Sequence, residues 1–280
     1  LDLNILKNKY WKPAVNVNNN MNAGEAAEGT RHYLTNSLKL RMRADVPIAF
    51  CLSGGVDSGI LASHAQKTFK KKISTFSIID KDPRYNESDN IDCVVNDIGC
   101  ESNHIHIENT KNNFFERLKN LTDYHDGPIS TLSYYVHSYL SESIAKKNFK
   151  VAISGTGADE IFTGYYDHYL LHFEAINKSK YLATNLDLWK KNVLPNIRNP
   201  HLKNPLLYIN NPNNRDLVYE KNFNLLNYSI SKKEKNFVEK KYTDELLRNR
   251  MLNELTDEVV PVILKHDDLN SMYYSIENRS

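Results

Sequence analysis

Cysteine is scarce in this chain, with three in 280 residues. Cys51, Cys93 and Cys100 form no C-x-x-C pair, which excludes a disulfide framework and a thiolate zinc cage and leaves thiols that read as reduced in a cytoplasmic protein. Long apolar runs are missing too. No stretch approaches the roughly 20 residues a membrane-spanning helix needs, and Leu1-Asp2-Leu3-Asn4 lacks the charged-then-apolar layout of a signal peptide. Charge of one sign is absent as an excess: 36 Lys and Arg against 34 Asp and Glu leave a formal net charge of +2. That balance argues against a general nucleic-acid binder, whose basic face shows as a larger surplus.

With 40% hydrophobic content, the chain can build a sizeable core in one large domain or two small ones. Its most informative stretch is Ser53-Gly54-Gly55-Val56-Asp57-Ser58, set between the apolar run Pro47–Leu52 and the helix-like Gly59–Ala65. A buried strand that ends in two glycines flanked by hydroxyls, with a helix starting at once, is a recipe for holding phosphate. Backbone N–H groups and the positive end of the helix dipole point into such a turn, and the glycines let the anion approach. A Gly-x-x-x-x-Gly-Lys loop is excluded, because no lysine stands at the required place. The plainer reading of these six residues is an ordinary turn between strand and helix.

The order of elements favours the first reading. Helical spacing is expected from Gly24 to Ala44 and from Asp57 to about Phe69, strands at 73–79 and 104–107, and a helix capped by Ser88 and ended by Gly99. Two further helices, at 113–123 and 133–147, lead to a fourth buried strand over 149–154. Strands alternating with helices spell an α/β fold with a doubly wound parallel sheet. Ligands in such sheets sit beyond the carboxyl ends of the strands, where both Ser53 and Ser154 fall. The run Lys70-Lys71-Lys72 reads as a solvated turn. His104 and His106 share one strand face, an exposed face being the commoner explanation than a metal site that lacks a third ligand. From Tyr165 onward the texture is helical and polar, which reads as a helical subdomain.

After the fourth strand stands Ser154-Gly155-Thr156-Gly157-Ala158-Asp159-Glu160-Ile161-Phe162-Thr163-Gly164-Tyr165. Together with Ser53–Ser58 this run resembles the synthetase domain of the glutamine-dependent asparagine synthetases, within the ATP pyrophosphatase (PP-loop) superfamily. Thr75–Ile78, Tyr85–Ser88, and Asp267-Asp268 with Glu277 and Arg279 agree with it, whereas 170–245 adds nothing. The resemblance implies an adenine nucleotide α-hydrolase type of sheet. It implies Mg-ATP activating a small-molecule carboxylate as an acyl-adenylate that ammonia converts to an amide, with AMP and pyrophosphate as products. Residue by residue, it implies pyrophosphate contacts at Ser53, Gly54, Gly55 and Ser58, and nucleotide contacts at Leu52, Ile78, Ser154 and Gly155. Magnesium, which prefers oxygen ligands, would be held by Asp57 and Asp159. For Glu160 a structural role is as reasonable as a functional one.

The chain departs from the family where the carboxylate is handled. Thr156 stands at the position of a family acid and cannot act as a carboxylate base near neutral pH. No arginine occurs between Arg117 and Arg198, so the one that some asparagine-forming members carry before the fourth strand is missing from the loop Gly127–Ser133. Aspartate remains the default substrate, with a sugar uronic acid as the alternative. A relative acting on RNA bases and a non-catalytic nucleotide-binding descendant are further readings. The domain organisation expected is 1–22 as a linker from a missing glutaminase domain that supplies ammonia, 23–165 as the nucleotide-binding core, and 166–280 as a helical part cut short at its end. A homodimer is a family-level expectation; a nucleic acid or a membrane as partner is not expected.

Overall fold

The computed structural model describes residues 8, 10–18, 20–107, 114–214 and 239–280. The described chain forms two compact units: Asn20–Ala158 with Val260–Ser280, and Asp159–Val259 with the described residues before Asn20.

The first unit is built on five parallel strands: β1 (Ile48–Cys51), β2 (Ser74–Ile79), β3 (Glu101–His106), β4 (Val151–Ile153) and β5 (Glu277–Arg279). Their spatial order is β3-β2-β1-β4-β5, and every pairing is parallel. The chain winds outward from β1 to β3, then returns to lay β4 on the other side of β1. This reversal places a crevice at the carboxyl ends of β1 and β4.

Side-chain alternation along the strands feeds two cores. Phe50 and Ile153 pack on one face with Leu38 of α1 (Ala23–Arg41), Ala62 and Ala65 of α2 (Val56–Lys67), and Ile98 of α3 (Ser88–Ile98). Their strand neighbours Ala49 and Ala152 pack in a second cluster with Phe76, Ile144 and Ile276. That cluster is covered by α5 (Leu132–Lys146), which also packs against α4 (Phe114–Tyr124). The α/β doubly wound sheet expected from the sequence is therefore present.

One expected helix start is displaced, for a physical reason. Glu87, not Ser88, is the N-cap residue of α3, and the Ser88 N–H is taken by Asn86 Oδ1 at 2.9 Å, so an asparagine turn supplies the start signal. Gly99 does end that helix, at φ 66°. His104 and His106 are exposed on β3, and only Asp92, 3.8 Å away, faces His104 as an ion-pair partner among the described residues.

The larger correction concerns 260–280, which the sequence assigns to the helical part. These residues fold with the sheet, as a long helix Val260–Tyr273 that packs on α5, followed by β5. Glu277-Asn278-Arg279 has no apolar residue to announce a strand. It is held by pairing with β4 and by Arg279, whose Nη1 donates to the Arg41 and Arg43 carbonyls at 2.6 and 2.8 Å. Those contacts satisfy carbonyls at the open end of α1.

The second unit contains α6 (Ala158–Phe162), which starts at the last residue of the sheet unit, then α7 (Tyr166–Ala175), α8 (Leu182–Asn192), the short α9 (Leu207–Asn210) and α10 (Leu246–Asn253). Numbered in the same series, Val260–Tyr273 is α11. Between α10 and α11 runs a π-helical turn, Glu254–Glu258. Leu170, Leu171, Phe173, Trp189, Ile197 and Tyr208 form this unit's own core. Parts of the expected linker (1–7, 9 and 19) and of the helical interval (215–238) lie outside the described residues. No helix among the described residues is long and apolar enough to cross a membrane.

Phe76 is fully buried at the centre of the second cluster. Phe76→Ala is expected to lower stability by about 3–5 kcal/mol, read from denaturant unfolding. A loss below about 1 kcal/mol, the range of an exposed site, would contradict this placement of the core.

Candidate active site

The glycine loop is closed by its own hydroxyls. Ser58 Oγ accepts the Ser53 N–H at 3.1 Å and donates to the Gly55 carbonyl at 3.2 Å. Ser53 Oγ accepts the Gly55 N–H at 3.3 Å and lies 3.1 Å from Ser58 Oγ. Ser53 and Ser58 thus shape the turn whatever else they touch. Gly54 sits at φ +79°, and a Cβ there would lie 3.1 Å from both the Cβ and the carbonyl oxygen of Glu87. Only glycine fits both the conformation and the space. Burial raises the Glu87 carboxyl above the usual carboxylate range.

Leu52, just before the loop, is buried, and its N–H is spent on the Phe76 carbonyl at 2.9 Å. Its remaining backbone acceptor is what it could offer a base. Ile78 is half-buried on β2. Asp57 stands in the first turn of α2. Its carboxyl is raised by desolvation. A partly dehydrated carboxylate of this kind is suited to a hard cation.

The second motif meets the first at its glycine. A Cβ on Gly155 would lie 3.0 Å from Ser58 N and 3.2 Å from Asp57 Cβ, so the strand-end loop of β4 is pressed against the first turn of α2. Beside it Ser154 Oγ lies 3.2 Å from Thr156 Oγ1 and 3.3 Å from Ser280 Oγ. Thr156 therefore contributes a hydroxyl to a row of three at the ends of β4 and β5. Ser280 carried no signal in the sequence, because β5 itself was not legible there.

The first turn of α5 is fixed from α11. Asn270 Nδ2 donates to the Tyr134 carbonyl at 2.7 Å, and the Tyr134 ring stacks on His266 with centroids 4.6 Å apart. His266 Nδ1 lies 3.3 Å from His125 Nδ1, and burial lowers both imidazoles. Sequence reasoning passed over these two histidines, which are 141 positions apart.

Asp159 opens the second unit. Glu160 is buried there and accepts the Tyr165 hydroxyl at 2.6 Å. Burial, then that bond, pushes the phenol up. The partner explains Glu160 as structural. Asp167, His168 and Glu254 lie close enough together to hold an ion. However, both His168 nitrogens and the Glu254 carboxylate already have protein partners, Arg250 among them. This cluster is an ion-paired network.

Glycine-cushioned loops at the switch point of a parallel doubly wound sheet define an α/β protein of the doubly wound class, whose ligands sit at the carboxyl ends of the strands. The Asparagine synthase family model matches residues 29–280, and the chain belongs to that family. Among curated relatives it is 32% identical over 142 residues to the Methanocaldococcus jannaschii protein named as asparagine synthetase 2 (glutamine-hydrolyzing), a match spanning 50% of this chain and 27% of that one. It is also 32% identical over 135 residues to asparagine synthetase (glutamine-hydrolyzing) 1 of Bacillus subtilis, covering 48% of this chain and 21% of the relative. A third relative, Amidase chyE of Penicillium rubens, is 26% identical over 155 residues, 50% of this chain and 23% of its own length. The chain thus spans well under two thirds of the relatives it matches. A solved U34-tRNA thiolase, NcsA of Methanococcus maripaludis, aligns at TM-score 0.35 and 15% identity over 88% of this chain and 79% of that one. That likeness is too slight to carry the fold assignment, which rests on the sheet.

The tight contact at Gly155 is testable without a ligand. Gly155→Ala forces a Cβ onto backbone and should cost about 1–3 kcal/mol. Gly127→Ala, with nothing within 4 Å, should stay within about 0.5 kcal/mol of the parent. Equal midpoints for the two variants in denaturant unfolding would contradict the packed junction.

Proposed function

We propose that this chain is the ATP-using part of a carboxylate-amidating ligase. In this reading ATP is cleaved between its α and β phosphates, a carboxylate is carried as its acyl-adenylate, and ammonia released from glutamine displaces AMP. The observation that carries the proposal is the contact of Gly155 with Asp57 and Ser58, which joins two anion-suited loops at the carboxyl ends of neighbouring strands.

Ser53, Gly54, Gly55 and Ser58 hold pyrophosphate in this account. Leu52, Ile78, Ser154 and Gly155 border the nucleoside side, and Asp57 and Asp159 are the carboxylates for magnesium. The α2 N-terminus points its backbone donors and partial positive charge at the phosphates. When bound, the metal supplies charge neutralisation for the leaving pyrophosphate. The chain's own task is to orient the α-phosphorus for in-line attack and to keep water from the mixed anhydride.

Aspartate, with asparagine as product, is the first substrate to test. Thr156 favours a second possibility: a hydroxyl bonded to Ser154 replaces the family's acid, which supports a carboxylate that needs no such base, such as a uronic acid. Residues 1–22 are proposed as the connection from a glutaminase domain, in a protein of the cytoplasm.

The test is carboxylate-dependent exchange of pyrophosphate into ATP by the full-length protein, with aspartate, free uronic acids and nucleotide-linked uronic acids compared. Exchange with one of these is expected, falling at least about 100-fold in Asp57→Asn if the carboxylate carries about 3 kcal/mol of transition-state stabilisation. No exchange with any of them would support the nucleotide-binding descendant, and undiminished exchange in Asp57→Asn would remove the metal role.

A further inference from the structure

The second unit holds a buried polar chain that ends at Asp159. Gly164 has no room for a side chain: a Cβ there would lie 1.6 Å from Asp159 Oδ1 and 2.6 Å from its Cγ. The Asp159 carboxylate is therefore packed directly on the Gly164 backbone, and where Gly164 sits decides where that carboxylate can go. Gly164 is in turn held by His168, whose Nδ1 accepts the Gly164 N–H at 3.3 Å. With Nδ1 accepting from Gly164, Nε2 is the nitrogen left to donate, and it lies 2.8 Å from Glu254 Oε2. His168 and Glu254 are each only 2% exposed.

The far end of the chain is anchored as firmly. Arg250 Nε donates to Glu254 Oε1 at 2.7 Å, and its Nη1 donates to Glu258 at 2.6 and 2.7 Å and to Glu239 at 3.0 Å. Burial alone would lower this guanidinium, but the bond to Glu258 and the charges of Glu254 and Glu258 outweigh it and raise it. Glu254 and Glu258 bracket the π-helical turn, whose widened spacing brings both carboxylates to Arg250. The segment being held needs support: Thr163, a β-branched residue, sits at φ +68°, a left-handed conformation that disfavours a side chain branched at Cβ.

We propose that His168 is a positioning residue for Asp159. It fixes Gly164 through the backbone amide, Glu254 and Arg250 fix the imidazole, and Gly164 fixes the carboxylate that would meet the metal. The proposal rests on the reading of Asp159 as a magnesium ligand given above.

Two substitutions separate positioning from mere packing. In His168→Asn the side-chain oxygen falls near the place of Nδ1 and can accept the Gly164 N–H. In His168→Gln the amide reaches Glu254 but leaves the Gly164 N–H without its acceptor. Manganese binding to the full-length protein with a non-hydrolysable ATP analogue, read by electron paramagnetic resonance, should weaken about tenfold or more in His168→Gln. It should be largely restored in His168→Asn. Glycine-selective 15N labelling should show the Gly164 amide shifted in the Gln variant and near its parent position in the Asn variant. Gly164→Ala, whose Cβ would fall 1.6 Å from Asp159 Oδ1, should reproduce the loss by displacing the carboxylate directly, and tests the glycine link separately from His168. Asp159→Asn is the control. Undiminished manganese affinity in Asp159→Asn overturns the ligand role and the proposal with it. Weakened affinity in Asp159→Asn beside parent affinity in either His168→Gln or Gly164→Ala overturns the positioning alone.

Discussion

The close approach of Gly155 to the first turn of α2 is the constraint on which the candidate site depends. With 3.0 Å between the place of its absent Cβ and Ser58 N, the loops after β1 and β4 form one surface. Their adjacency follows from the strand order. β1 is the strand at which the winding reverses, so its loop and that of β4 flank the crevice such sheets leave open. The hydroxyl bonds among Ser53, Gly55 and Ser58 then hold the turn that the glycines allow.

A second theme is glycine serving as the absence of a side chain. Gly54 makes room for Glu87, Gly155 for α2, and Gly164 for the Asp159 carboxylate. In each case the neighbour that fills the space belongs to a motif or stands next to one. The motifs therefore specify packing, and at these three glycines an alanine would displace the neighbour that fills the space. The positioning account for His168 extends this logic one bond further, from the glycine to the group that holds it.

Much of this was legible in the sequence, for identifiable reasons. β1 and β4 are short apolar runs bounded by turn signals, β2 mixes Ser and Thr with Phe and Ile, and α3 carries its apolar residues at i, i+3, i+4 and i+7. Gly99 ends α3 in the left-handed conformation its position suggests. β5 was not legible, because a strand of Glu, Asn and Arg at a sheet edge announces itself by neither alternation nor β-branching. For the same reason 260–280 was assigned to the wrong unit. Within the site, the glycine motifs and their hydroxyls were visible as local patterns. The partners that fix them, Glu87 over Gly54 and His168 behind Gly164, are contacts whose meaning appears only once the chain is folded.

The central claim is that the two glycine loops serve a reaction in which a carboxylate oxygen attacks the α-phosphorus of ATP. Incubation of the full-length protein with ATP, ammonia and a carboxylate labelled with 18O, followed by 31P NMR of the products, tests it directly. The account predicts one labelled oxygen in AMP and none in the pyrophosphate. Label in inorganic phosphate, with ADP as the nucleotide product, would contradict it.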